Sequence, residues 1–123
     1  MGYEVTMYIG EISTFENEGK HYFSIIGMVE LSKPGYSSEI YQMSSNKSPG
    51  FHEIYFYGTD GNKQITEDDY GNTLKVLLPR RVLQALKRDN ANDPYRRFEL
   101  AIALLERSIL NFGNELNVVL YGH

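Results

Sequence analysis

Thr73-Leu74-Lys75-Val76-Leu77-Leu78-Pro79-Arg80-Arg81-Val82-Leu83-Gln84-Ala85-Leu86 is the stretch that decides how the fold is read. Up to Leu78 the apolar residues come in short, tyrosine-rich runs broken by glycine; beyond Pro79 they recur at helical spacing. Proline suits the first turn of a helix, where its missing N–H would be unpaired anyway, and Val82, Leu83, Ala85 and Leu86 then form an apolar stripe that ends near Asp89-Asn90.

A second helix follows. Asp93 reads as its N-cap and Pro94 as its first residue, and Phe98, Ile102, Leu105, Ile109 and Phe112 recur at spacings of four, three, four and three. Gly113 closes it. Leu116, Val118 and Leu120 then fall on one face of a final strand over 115–121.

Upstream, Tyr3, Val5 and Met7 alternate with Glu4, Thr6 and Tyr8, which predicts a half-buried strand over 3–12. A polar turn over 13–20 leads to a long strand over 21–31, in which Gly27 suggests a bulge or bend. Lys33-Pro34-Gly35 makes a turn, and 39–43 reads as a short strand. Ser44-Ser45-Asn46-Lys47-Ser48-Pro49-Gly50 reads as the least structured part. The aromatic run Phe51-His52-Glu53-Ile54-Tyr55-Phe56-Tyr57-Gly58 predicts a central strand, Thr59-Asp60-Gly61-Asn62 a tight turn and 73–78 a further strand.

These elements predict one α+β domain: a mostly antiparallel sheet of about five to seven strands with two C-terminal helices packed on one face and a final strand. The sheet-forming part covers 1–78 and the helical part 79–113. A length of 123 residues and 41% hydrophobic content fit a single folded core. With no apolar run long enough to span a bilayer, no signal-peptide pattern and no cysteine, a cytoplasmic protein without a membrane role is expected.

Charge is unevenly spread. Before Lys75 four lysines face eleven acids; from Lys75 on, eight bases face five, within a net charge of −4. Such asymmetry suits a basic face for an anionic partner, or unlike faces that meet in a homo-oligomer. The simpler account is that sheet and helix surfaces differ by chance.

Four features invite chemistry. His52 and Glu53 are adjacent in a strand and point to opposite faces, so they cannot act as a local pair; His21 and His123 could join them only through tertiary contacts. The acidic segment from Asp60 to Asp69 has Lys63 and Ile65 where calcium ligands would be needed. The basic residues Arg80, Arg81, Lys87, Arg88, Arg96 and Arg97 gather on or between the helices, with both arginine pairs read into a first turn, where cations oppose the helix dipole and an anionic partner would relieve them. Nearby Asp89, Asp93, Glu99 and Glu106 can neutralise part of that charge. Finally, ten tyrosines without tryptophan, Tyr55 and Tyr57 foremost, suit an aromatic binding face. The segment 50–57 departs from the RNA-recognition signature at Glu53, and no phosphate-binding loop, nucleophile elbow, metal motif or cofactor motif is present.

The expectation is therefore a small non-catalytic binding or assembly module without cofactor or metal, working through a tyrosine-rich sheet face and self-associating or binding a protein partner. The alternative is a single-stranded nucleic-acid binder that uses the basic helix starts and the sheet aromatics. A small acidic domain of this kind would also suit an accessory or inhibitory protein of a phage or other mobile element.

Overall fold

The computed structural model describes residues 3–13, 22–31, 33–35, 37–45, 55–57 and 64–123. The readings on most of the turn over 13–20, on His21, His52 and Glu53, on the loop over 46–50 and on the turn over 59–62 lie outside them. The described residues form an α+β fold, built on an open sheet of three antiparallel strands with three α-helices. Strand β1 (Val5–Ser13) is central, flanked by β2 (Tyr22–Leu31) and β5 (Asn117–Gly122). Two short segments, β3 (Tyr55–Tyr57) and β4 (Gln64–Ile65), extend the β2 side to give the order β4-β3-β2-β1-β5. The β2–β3 pairing is parallel, which a run of simple hairpins would not produce. Residues 73–78, expected as a strand, form isolated bridges, Thr73 with Glu67 outside the sheet and Leu77 with Val118 of β5, rather than a continuous ladder.

Val5, Met7 and Ile9 line one face of β1, and Tyr8 lies on the other with Phe23, Leu74, Val76 and Val119. The strand is thus buried on both faces, not half-buried as its alternation suggests. A central strand with polar residues can be covered on both sides when those residues find partners; Thr6 does so through His123 Nε2 at 2.9 Å. The β1–β2 register shifts after Ile9: Ile9 pairs with Gly27 but Gly10 with Ile25, so Ile26 is the extra residue of a bulge beside Gly27.

The helices α2 (Pro79–Ala91) and α3 (Glu99–Phe112) and the short α1 (Glu39–Ser44) share one core with the first face of the sheet: Ile40, Val82, Leu86 and Leu105 meet Val5, Met7, Leu31 and Val118. Residues 39–43, read as a strand, form α1 because their N-terminal amides are satisfied from elsewhere. Ser38 Oγ accepts the Tyr41 N–H at 3.1 Å, and the Asp89 carboxylate, near the end of α2, accepts the N–H groups of Glu39 at 3.0 Å and Ile40 at 2.9 Å. No local pattern could disclose a cap contributed from fifty residues away. Replacing Asp89 with alanine is expected to cost about 1–2 kcal/mol, the usual loss for a helix cap with buried amides, and to raise amide exchange selectively at Glu39 and Ile40. Unchanged exchange at those two amides would contradict this role.

The start of α3 also differs from the expected one. Asp93 does accept backbone N–H groups, from Tyr95 at 3.1 Å and Arg97 at 3.0 Å, but it closes a turn rather than a helix. Arg96 has φ of 50°, left-handed backbone that interrupts helical continuation, and α3 begins at Glu99. Asn90, buried at the end of α2, accepts the Phe98 N–H at 3.1 Å and fixes the entry of α3. Gly113, at φ of 60°, ends the helix.

Candidate interaction surface

Tyr3, Tyr8 and Tyr121, in or beside β1 and β5, are committed to internal contacts. Tyr3 donates to Ser44 Oγ at 2.7 Å and packs against Tyr41 and Tyr70, with ring centroids 5.1 and 4.8 Å away. Tyr8 is buried edge-on to Tyr121, whose hydroxyl donates to Asp69 Oδ1 at 2.6 Å. The backbones of Tyr55 and Tyr57 lie in β3; their side chains lie outside the described part of the structure. Tyr95 is highly exposed, but it belongs to the turn before α3, not to the sheet.

Burial raises the phenol pKa values of Tyr3, Tyr8 and Tyr121 above the ordinary 10.0, and for Tyr121 the hydrogen bond to the Asp69 carboxylate adds to the effect. The folded chain therefore holds these protons more tightly than the unfolded one. Their stabilising contribution is complete below pH 10.0 and is lost as the pH rises through the folded-state values. The denaturation midpoint is expected to fall steadily above pH 10, with Tyr121→Phe less sensitive to alkali than the parent; equal sensitivity would contradict the Asp69 contact as a cause.

The six basic residues do not form one open patch. Lys87 pairs with Glu106 at 3.4 Å, Arg88 with Glu39 at 2.8 Å, Arg96 with Glu99 at 2.5 Å and Arg97 with Asp93 at 2.9 Å. The Arg97 guanidinium, together with the backbone amides of Arg97 and Tyr95, holds the Asp93 carboxyl below its usual range. Arg96 and Arg97 precede α3 rather than standing in its first turn, and each is paired with a carboxylate. Arg80 and Arg81 do stand in the first turn of α2, exposed, and among the described residues neither has an ion-pair partner.

His123 lies between β1 and β2 side chains, with Nε2 3.4 Å from Glu30 and Nδ1 3.9 Å from Glu4. Its backbone exchanges hydrogen bonds with Glu4, so the arrangement fastens the end of β5 to the central strand. Among the described residues no group of three or more acids and histidines is placed to hold a metal, and no helix is long and apolar enough to cross a membrane.

Among the described residues, the outer side of α3 leaves large apolar side chains exposed. Leu100 is 81% exposed and Leu110 76%, although the helix already presents Ala101 and Leu105 to the core. Leu100, Ala103, Arg107 and Leu110 follow spacings of three, four and three, so they form a stripe opposite the buried one. Arg107 has no ion-pair partner among the described residues. Phe112, expected on the inward stripe, is 41% exposed because the helix ends there and Gly113 turns the chain away. The outer leucines escape a reading that follows one stripe. The available signal was the high apolar content of Glu99–Phe112 on nearly every side, unusual for a surface helix.

A shallow cleft of about 240 Å³ lies where α2 begins and α3 ends, lined by Leu78, Pro79, Arg80, Ile109, Gly113 and Leu116, with Asn117 at one side. The chain matches no protein-family model, no curated protein and no solved structure.

Proposed function

We propose that this chain is a small non-catalytic assembly module that self-associates through the outer face of α3. What carries the reading is the pair Leu100 and Leu110, two large apolar side chains left in water on one stripe of an ordered helix. Ten residues of helix separate them by about 15 Å. In an antiparallel pairing about a two-fold axis, Leu100 of one copy meets Leu110 of the second at both ends of the seam. The small Ala103 lets the helices approach, and Arg107 crosses toward Glu106 of the second copy. The same patch serves both copies, as a two-fold contact requires. A seam of this length falls at the small end of stable interfaces, so a micromolar dimer is expected rather than an obligate one.

The tyrosine-rich sheet face is not the seam in this reading, since Tyr3, Tyr8 and Tyr121 are occupied internally. Light scattering of the purified chain over a concentration series tests the proposal: the mass should rise toward twice 14.1 kDa and hold at high salt. A constant monomer mass would end it.

Single-stranded nucleic acid remains the second reading, favoured by Arg80 and Arg81, which have no acidic partner among the described residues. The other four bases of the cluster are already paired, so no measurable binding of a labelled oligonucleotide is expected even at low salt. Binding that weakens steeply with salt and disappears in Arg80→Ala/Arg81→Ala would reverse the order of the two readings.

A further inference from the structure

The cleft between the start of α2 and the end of α3 joins two features rarely left together on a surface without a partner. Its walls are apolar: Leu78, Pro79, Ile109 and Leu116 contribute hydrocarbon, and Leu78 is itself exposed. Its rim is cationic. Arg80 lines it, Arg81 follows in the same exposed turn, and neither is paired with an acid among the described residues. The first turn of α2 contains no acidic residue to offset them, in contrast to Glu99 at the start of α3. With a volume of about 240 Å³ the cleft suits one or two large side chains rather than a cofactor-sized molecule.

We propose that this cleft docks an acidic peptide segment of a partner protein, with a bulky apolar side chain seated against Leu78, Ile109 and Leu116 and flanking carboxylates on Arg80 and Arg81. The apolar anchor supplies the affinity and the charge pairs set orientation and encounter rate. The site is separate from the outer stripe of α3: Ile109 and Gly113 line the cleft, whereas Leu100 and Leu110 face the self-association seam. One chain can therefore pair with a copy of itself and hold a second protein at the same time.

Three fluorescein-labelled nine-residue peptides test this by anisotropy: a Leu-Phe pair flanked by Asp and Glu, the same peptide with Lys for every acid, and the acidic peptide with Ser-Ser for Leu-Phe. The first should bind the parent chain, and both controls should bind at least about tenfold more weakly. Arg80→Glu should weaken binding of the first peptide by a similar factor while leaving the circular dichroism unchanged, with Arg80→Ala as the milder variant should the reversal unfold the chain. Leu100→Asp should bind the peptide normally, which separates this site from the assembly seam. Equal binding of the three peptides, binding by Arg80→Glu as tight as the parent's, or no binding of the first peptide at millimolar protein would each overturn the proposal. Loss of self-association in Arg80→Glu, without peptide binding by the parent, would assign the cleft to a second copy instead and equally overturn it.

Discussion

Replacing Gly10 with alanine is expected to lower the unfolding free energy by about 3 kcal/mol, the upper end of what overpacking a filled interior costs. A β-carbon at this position would run into the carbonyl oxygen of Ser24 on the paired strand and would also press on the Phe23 ring. A flexible side chain could swing aside, but a carbonyl held in a strand ladder cannot. The β1–β2 pair would have to spread at its bulge, disturbing Phe23, which is wholly buried. A urea titration should show the midpoint falling with an unchanged slope. Gly27, on the other strand at the same bulge, is the control: nothing lies within 4 Å of its added β-carbon, so Gly27→Ala should cost less than about 1 kcal/mol. Equal losses at the two glycines would contradict the packing described for the bulge.

The second large effect separates the two sides of α3. Leu105 is fully buried in the shared core, and truncating it to alanine removes three carbons, a methine and two methyls, and leaves a cavity between helix and sheet; a loss of about 3 kcal/mol is expected. Leu100, five residues earlier on the same helix, is 81% exposed. Leu100→Ala should leave the monomer's stability within about 0.5 kcal/mol of the parent, as for an ordinary surface position, while shifting the concentration at which the chain associates. Denaturation followed at low protein concentration isolates the first effect, and the concentration dependence of the midpoint isolates the second. A large loss for Leu100→Ala in dilute solution would mean that the outer leucines serve the monomer's own fold.

What the sequence discloses and what it hides can be read from particular residues. The change of spacing at Pro79 marks the start of α2 because the signal is local: a proline whose N–H is not needed, then an apolar stripe at helical period. Gly27 points correctly to the bulge, since the cue is again a single residue in a strand pattern, yet the glycine that the packing demands is Gly10, whose constraint is a backbone on the neighbouring strand. Residues 39–43 look like a strand because their helix depends on the Asp89 carboxylate, a partner known only once α2 is docked. Asp93 and Pro94 look like a helix start because they do form a capped turn; the left-handed backbone at Arg96 then ends it. The same logic holds for the surface. Basic residues are visible in sequence, but their ion pairs with Glu39, Asp93, Glu99 and Glu106 decide which remain available. Leu100 and Leu110 lie off the stripe that Phe98, Ile102, Leu105 and Ile109 mark, and only the packed structure shows how far they are exposed.

Sedimentation velocity of the parent chain, Leu100→Asp and Leu110→Asp, from about 1 to about 200 µM, tests the central claim most directly, since that range brackets a micromolar dimer. The parent should move from monomer to dimer across it. Both variants should remain monomeric, with helical circular dichroism and thermal midpoint close to those of the dilute parent. A parent that stays monomeric at the highest concentration, or variants that dimerise as it does, would contradict the assignment of α3's outer face as the surface through which this chain works.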